Sequence, residues 1–134
     1  EMNEARRFRA EAMREDIRCY AEHGCVDIGA EMLNHKDPPG WFEQWMWERL
    51  CWNYEADTER LRKYYLRRVY REGAPAAERY FGSYREQRFH PDNNVKLVRG
   101  EEAQKLFAKY LPKIHNPLAR SNFELLMKDA VNSK

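Results

Sequence analysis

The side chains that could do chemistry in this chain are scattered, and their spacing limits what that chemistry is. Glu31 closes an alternating stretch, "CVDIGAEML" (25–33), just before the loop "NHKDPPG" (34–40). At the carboxyl end of a strand in an (α/β) barrel, such a carboxylate projects into the active face, which makes Glu31 the candidate catalytic acid. Glycoside hydrolysis needs a second carboxylate across the sugar, and no motif here places one. Read alone, Glu31 is an ordinary polar residue at a strand end. The histidines at 23, 35, 90 and 115 form no HxxxH or HExxH spacing, so surface or capping roles are expected and no metal site.

Cys19, Cys25 and Cys51 contain no CxxC pair. Buried free thiols are the favoured reading, with one bridge and a leftover thiol left open. His23 stands two residues from Cys25, a spacing that offers a base to a nucleophile, although inert thiols explain the pair as well. Trp41, Trp45 and Trp52 fall near one line of a helix and could present flat rings to a sugar or a base. Tryptophans at helical spacing are more often core. Arg60, Arg62, Lys63, Arg67, Arg68 and Arg71 make a basic stripe that could hold phosphate, but Glu55, Asp57, Glu59 and Glu72 interrupt it, and a solvated face is favoured.

These groups must be positioned by a chain of 134 residues, the size of one domain, which can bury roughly two-thirds of its unfolded surface. Aromatics at 13 % supply large burial per residue and exclude a disordered composition. The 24 Lys and Arg against 22 Asp and Glu argue against a dedicated nucleic-acid binder. No apolar run is long enough for a membrane span, and no cofactor motif is present. Residue 1 is Glu, so the expectation is either a single helical domain over 1–134 or the carboxyl-terminal fragment of a larger protein.

Periodicity gives the elements. Residues 3–23 read as an amphipathic helix stopped by Gly24, and 25–33 as a short strand by its period of two. Pro38 and Pro39 assign 34–40 to a loop. The helix "WFEQWMWERLCW" (41–52) is apolar over more than half its surface and is expected between neighbours. Asp57 caps a helix to about Glu72 with Leu61, Tyr64, Tyr65, Val69 and Tyr70 buried and its arginines mostly facing water. Gly73 ends it, and Pro75 opens the next. Residues 88–100 are irregular, with a possible extended piece at 95–98, and two helices follow, from Glu101 and from Pro117. The fold class expected is mainly α, about six helices with one or two short strands, 25–33 and 95–98.

The stretch "RLCWNYEADTERLRKYYLRRVYREGAPAAERYF" (49–81) resembles the C-terminal half of a large bacterial family of uncharacterised glycoside-hydrolase-like proteins, related at a distance to alpha-glucuronidases. The resemblance rests on Leu50, Trp52, Asn53, Asp57, Leu61, Tyr70, Gly73, Ala76, Ala77 and Tyr80. Two departures stand out: the family's tyrosine-glycine-proline turn is lengthened here by Arg71 and Glu72, and its proline after Trp52-Asn53 is Tyr54. A whole barrel needs ~250 residues. The resemblance therefore implies a carboxyl-terminal piece of a carbohydrate-active protein, without catalysis by itself. It implies further that Glu31 and the 34–41 loop lie at the rim of a substrate cleft, with His35 and Trp41 binding the glycan and Trp41 stacking on a sugar ring. The partner is then the rest of a parent chain or a glycan. The alternative reading is a freestanding helical domain that binds another protein through an aromatic groove between the 57–72 and 75–88 helices, with homo-oligomerisation left open.

Overall fold

The computed structural model describes residues 10–28, 37–89 and 96–133, the side chains of 84–89 excepted. Six α-helices make up these residues: α1 (Ala10–Glu22), α2 (Pro38–Trp52), α3 (Thr58–Tyr70), α4 (Ala74–Phe89), α5 (Gly100–Tyr110) and α6 (Pro117–Asn132). Two single 3₁₀ turns, Arg71–Gly73 and Leu111–Lys113, join α3 to α4 and follow α5. The mainly helical class and the count of about six are as expected from the sequence.

The helix ends follow from side-chain chemistry. Asp57 caps α3, its carboxylate accepting from the amides of Glu59 at 2.9 Å and Arg60 at 3.0 Å. Asn116 does the same for α6 through the Ala119 amide. α1 ends in a Schellman motif: Gly24 takes a φ of 78°, its amide donates to the Ala21 carbonyl, and the Cys25 amide reaches back to Tyr20. α2 begins earlier than the two prolines suggest. Pro38 and Pro39 occupy its first two positions, where a missing N–H costs nothing, and Asp37 caps it by accepting from the Gly40 amide at 2.8 Å.

No strand forms among the described residues. At 25–28 the Cys25 amide is already committed to the α1 cap, and the rest of the expected 25–33 strand lies outside the described residues. At 96–98 the Val98 amide donates to the Ser83 hydroxyl at 3.2 Å, while that hydroxyl donates to the Tyr80 carbonyl at 2.8 Å. A serine on α4 thus satisfies the backbone that a strand partner would otherwise have to satisfy, and Leu97 and Val98 are buried by it.

The core is a run of rings. Tyr65 of α3 meets Phe42 of α2 edge to face at 5.2 Å, and Phe42 meets Phe81 of α4 at 5.3 Å. Tyr80 beside it meets Phe107 of α5 at 6.2 Å, Phe107 meets Phe123 of α6 at 4.8 Å, and Phe123 returns to Tyr70 of α3 at 6.3 Å. Met46, Leu50, Leu66, Ile114 and Leu126 fill the space around them. α6 packs against α5, α3 and α2, whereas α1 leans on α2 and buries only Ile17 fully. Along the α3–α4 seam, Leu66, Tyr70, Ala77 and Phe81 are all buried.

Tight closure places unusual demands on the turn between α3 and α4. A Cβ on Gly73 would lie 2.5 Å from two ring carbons of Phe123 and 2.8 Å from the Ile114 methyl. Arg71 just before it has φ 49° and ψ −121°, a region glycine tolerates and arginine does not. A glycine would suit the backbone at 71, while Gly73 answers to packing.

Opposite outcomes are expected for two substitutions at this turn. Gly73→Ala should lower the unfolding free energy by about 1–3 kcal/mol through overpacking against Phe123. Arg71→Gly should raise it by about 1 kcal/mol by removing backbone strain. Urea denaturation monitored by helical circular dichroism reads both, and a Gly73→Ala chain as stable as the parent would refute the close approach.

Candidate functional site

An amphipathic opening lies between α2 and α3. Asn53 through Asp57 connect these helices in a few residues, fixed at both ends. The Asn53 amide closes α2 onto Arg49, the Asn53 side chain accepts from the Glu55 amide at 3.0 Å, and Asp57 opens α3. So short a link makes the helices run antiparallel, which sets Phe42 against Tyr65 inside and Trp45 against Tyr64 outside.

The outer pair floors a cleft of about 440 Å³, within the range of small-ligand and side-chain sites. Trp45 and Tyr64 stack with centroids 6.2 Å apart and planes 17° from parallel. Tyr65 supports Trp45 from the core side at 5.1 Å, and the Arg49 guanidinium sits 5.4 Å from the indole centroid, a cation–π contact. Leu61 and Ala56 add apolar wall, while Asp57 and Arg60 form the polar end. Tyr64 is 54 % exposed, although periodicity places it in the buried stripe. Leu66, which periodicity omitted from that stripe, takes an inward position.

Among the described residues, Asp57 is the one carboxylate lining this cleft, and one oxygen is held by two backbone amides. A glycosidase pair of facing carboxylates has no place in it. Among the described residues, no three His, Cys, Asp or Glu side chains converge in a way that could hold a metal ion. None of the described helices is long and apolar enough to cross a membrane.

The sequence-derived candidates fall as follows. Glu31 and His35 lie outside the described residues. Trp41 stands in the first turn of α2, 37 % exposed, and Trp52 at its last residue, 89 % exposed. The tryptophan line does not make one platform: Trp45 belongs to the α2–α3 cleft, and Trp52 to a smaller hollow with Ile17, Ala21 and Cys51. The buried line of α2 is instead Phe42, Met46 and Leu50, spaced by four.

The three cysteines are free but exposed, not buried as expected. Cys19 sits on the outer face of α1, Cys25 follows its cap, and Cys51 neighbours the inward Leu50. Partial burial, with Glu48 adding to it, pushes the Cys51 thiol up and disfavours the reactive thiolate. His23 does not meet Cys25. Its Nδ1 lies 2.8 Å from the Cys19 carbonyl and 3.7 Å from the Cys19 sulfur, and the Cys25 thiol donates to the Asp27 carbonyl. Arg62, expected in water, is only 14 % exposed and is held by Glu59 and Glu78 between α3 and α4. Arg60, Arg67 and Arg68 do face solvent.

Behind the cleft, burial pushes the Tyr65 phenol up to about 12. It pushes Tyr70 well above the usual tyrosine value, with Tyr65 and Asp129 contributing less. The folded state therefore favours the neutral phenols. Their stabilisation is complete below the unfolded-state value of about 10 and is lost as pH rises through the folded-state values. In an absorbance titration at about pH 11, these two of the eight tyrosines should remain un-ionised while the helical signal persists. Simultaneous ionisation of all eight in a folded chain would show that these rings are not enclosed.

No family model, no curated protein and no solved structure matches this chain.

Proposed function

We propose that this chain is a helical binding module that holds a segment of another polypeptide in the cleft between α2 and α3 and is not catalytic by itself. The observation that carries this reading is the Trp45–Tyr64 stack. The other rings of α3, Tyr65 and Tyr70, are buried, whereas Tyr64 is left half open beside Leu61 and a guanidinium. An aromatic anchor site ringed by polar groups is the usual anatomy of a protein-recognition hot spot. Support also comes from the rigidity of the floor, since capped helices and Tyr65 hold it in place and little ordering is needed on binding.

The carbohydrate reading draws on a different observation. Of the ten residues that carry the resemblance to glycoside-hydrolase-like proteins, Leu50, Tyr70, Gly73, Ala76, Ala77 and Tyr80 are buried, Leu61 is half-buried, and Trp52, Asn53 and Asp57 are exposed. A likeness carried mostly by packing residues is one of architecture, and it supports a helical segment that completes a larger carbohydrate-active protein. On that reading the polypeptide seated in the cleft is another part of the same protein, and Glu31, His35 and Trp41 border the substrate. In a full-length parent assayed on aryl glycosides, Glu31→Gln should cost on the order of 100-fold or more in turnover. Turnover unchanged within a factor of a few would remove Glu31 from the chemistry.

For the module itself, peptides selected from a displayed library on the wild-type chain should lose about tenfold or more in affinity for Tyr64→Ala. Tyr64 is exposed enough that the variant should keep its fold, which circular dichroism checks. Selected peptides that bind both proteins equally would place the interaction elsewhere.

A further inference from the structure

We infer that the polypeptide segment received by this cleft is acidic, with carboxylates flanking one apolar anchor side chain; the inference rests on the α2–α3 cleft being a polypeptide seat. The cleft continues onto the outer face of α3, and the two surfaces share Asp57, Arg60 and Tyr64. Together they present five cations, Arg49, Arg60, Lys63, Arg67 and Arg68, against the two carboxylates of Asp57 and Glu59. The chain as a whole is almost balanced, at 24 basic against 22 acidic residues. The cations are therefore gathered here.

The two carboxylates do not cancel them. Asp57 spends an oxygen on the amides of Glu59 and Arg60. Glu59 is held by Arg62 at 2.5 Å, on the side facing α4, with Lys63 more loosely placed at 3.9 Å. Arg60, Arg67 and Arg68 pair with no carboxylate among the described residues. Arg49 lies over the Trp45 ring, and a stacked guanidinium keeps its in-plane donors for a second partner.

The spacing selects among anionic ligands. Arg60 and Arg67 are separated by roughly 10 Å of helix rise, which an extended peptide spans in about three or four residues. An apolar side chain between two acidic residues would thus meet Tyr64, Leu61 and Trp45 while its neighbours reach the arginines. A nucleic acid fits less well. Trp45 is already occupied by Tyr64, Tyr65 and Arg49, so successive bases find one partly open ring, and apolar wall lies where a phosphate backbone would run.

The test is fluorescence polarisation on the purified chain with three probes: a labelled peptide carrying a leucine flanked by glutamates about three or four residues apart, its glutamine counterpart, and a single-stranded oligonucleotide. The glutamate peptide should bind more tightly than the glutamine peptide by about tenfold at low ionic strength, and the difference should shrink with added salt. Combined Arg60→Gln, Arg67→Gln and Arg68→Gln, all at exposed positions, should abolish that difference while circular dichroism stays unchanged. Equal binding of the two peptides overturns the acidic occupant and leaves the cleft as a seat for neutral peptide. Binding by neither peptide overturns the acidic occupant, and unselected peptides in the display experiment then decide against the seat itself. An oligonucleotide that displaces the glutamate peptide and depends on the same arginines overturns the proposal in favour of a phosphate-binding face.

Discussion

Five helices of this chain are held by one closed run of aromatic rings, and the rest of the architecture adjusts to it. From Tyr65 through Phe42, Phe81, Tyr80, Phe107 and Phe123 to Tyr70, each ring meets the next, and the run begins and ends on α3. Most of these contacts are edge to face, the arrangement that the ring quadrupole favours, and each adds about 0.5–1.5 kcal/mol beyond the area it buries. Closing the run requires the end of α3 to approach α6 until no side chain fits between the Gly73 backbone and Phe123. Arg71 accepts an unfavourable backbone conformation at the same place. Strain in that turn is offset by the rings it brings together.

The same constraint makes the binding cleft. With α2 and α3 antiparallel and tied by a short capped link, each contributes an inner ring and an outer ring at one level. Phe42 and Tyr65 are inner and join the core; Trp45 and Tyr64 are outer and stack at the surface. Tyr65 touches both Phe42 and Trp45, so the floor of the cleft is an extension of the core by one layer. Its stiffness comes from the core. A ligand there meets a surface whose shape is fixed by residues that it never touches.

Much of this was legible in the sequence where the cause is local. Gly24, Asp57 and Pro75 mark real helix ends, because caps and terminal prolines act within one turn. The Pro38-Pro39 pair misled because a proline that stops one helix also starts the next, and only Asp37 ahead of it decides between them. Period two at 25–28 promised a strand, yet its first amide is spent on the α1 cap. The Trp45–Tyr64 stack was not legible at all. It depends on the register of two antiparallel helices, so each ring taken singly looks like core. The Tyr64–Leu66 choice turns on the same register: one-residue shifts in a stripe of Leu, Tyr, Tyr and Leu are nearly neutral in periodicity but decide which ring reaches solvent.

Charge shows how a nearly neutral chain can still carry a directed field. Elsewhere among the described residues, several acids and bases are matched at short range. Glu15 pairs with Arg14 and Arg18, Glu102 with Arg79 and Lys96, and Glu124 with Arg120. Such exposed pairs add little to stability, a few tenths of a kcal/mol each, but each one cancels its own potential beyond a Debye length of about 10 Å. On α3 the pattern breaks. Arg62 turns into the seam with α4, where it engages Glu59 of α3 and Glu78 of α4. Arg60, Arg67 and Arg68 are left without a carboxylate partner among the described residues, Arg60 at the end of the Trp45–Tyr64 cleft and the other two further along the outer face of α3. Net charge therefore understates this face, because the quantity that a ligand feels is set by which carboxylates the fold has already engaged.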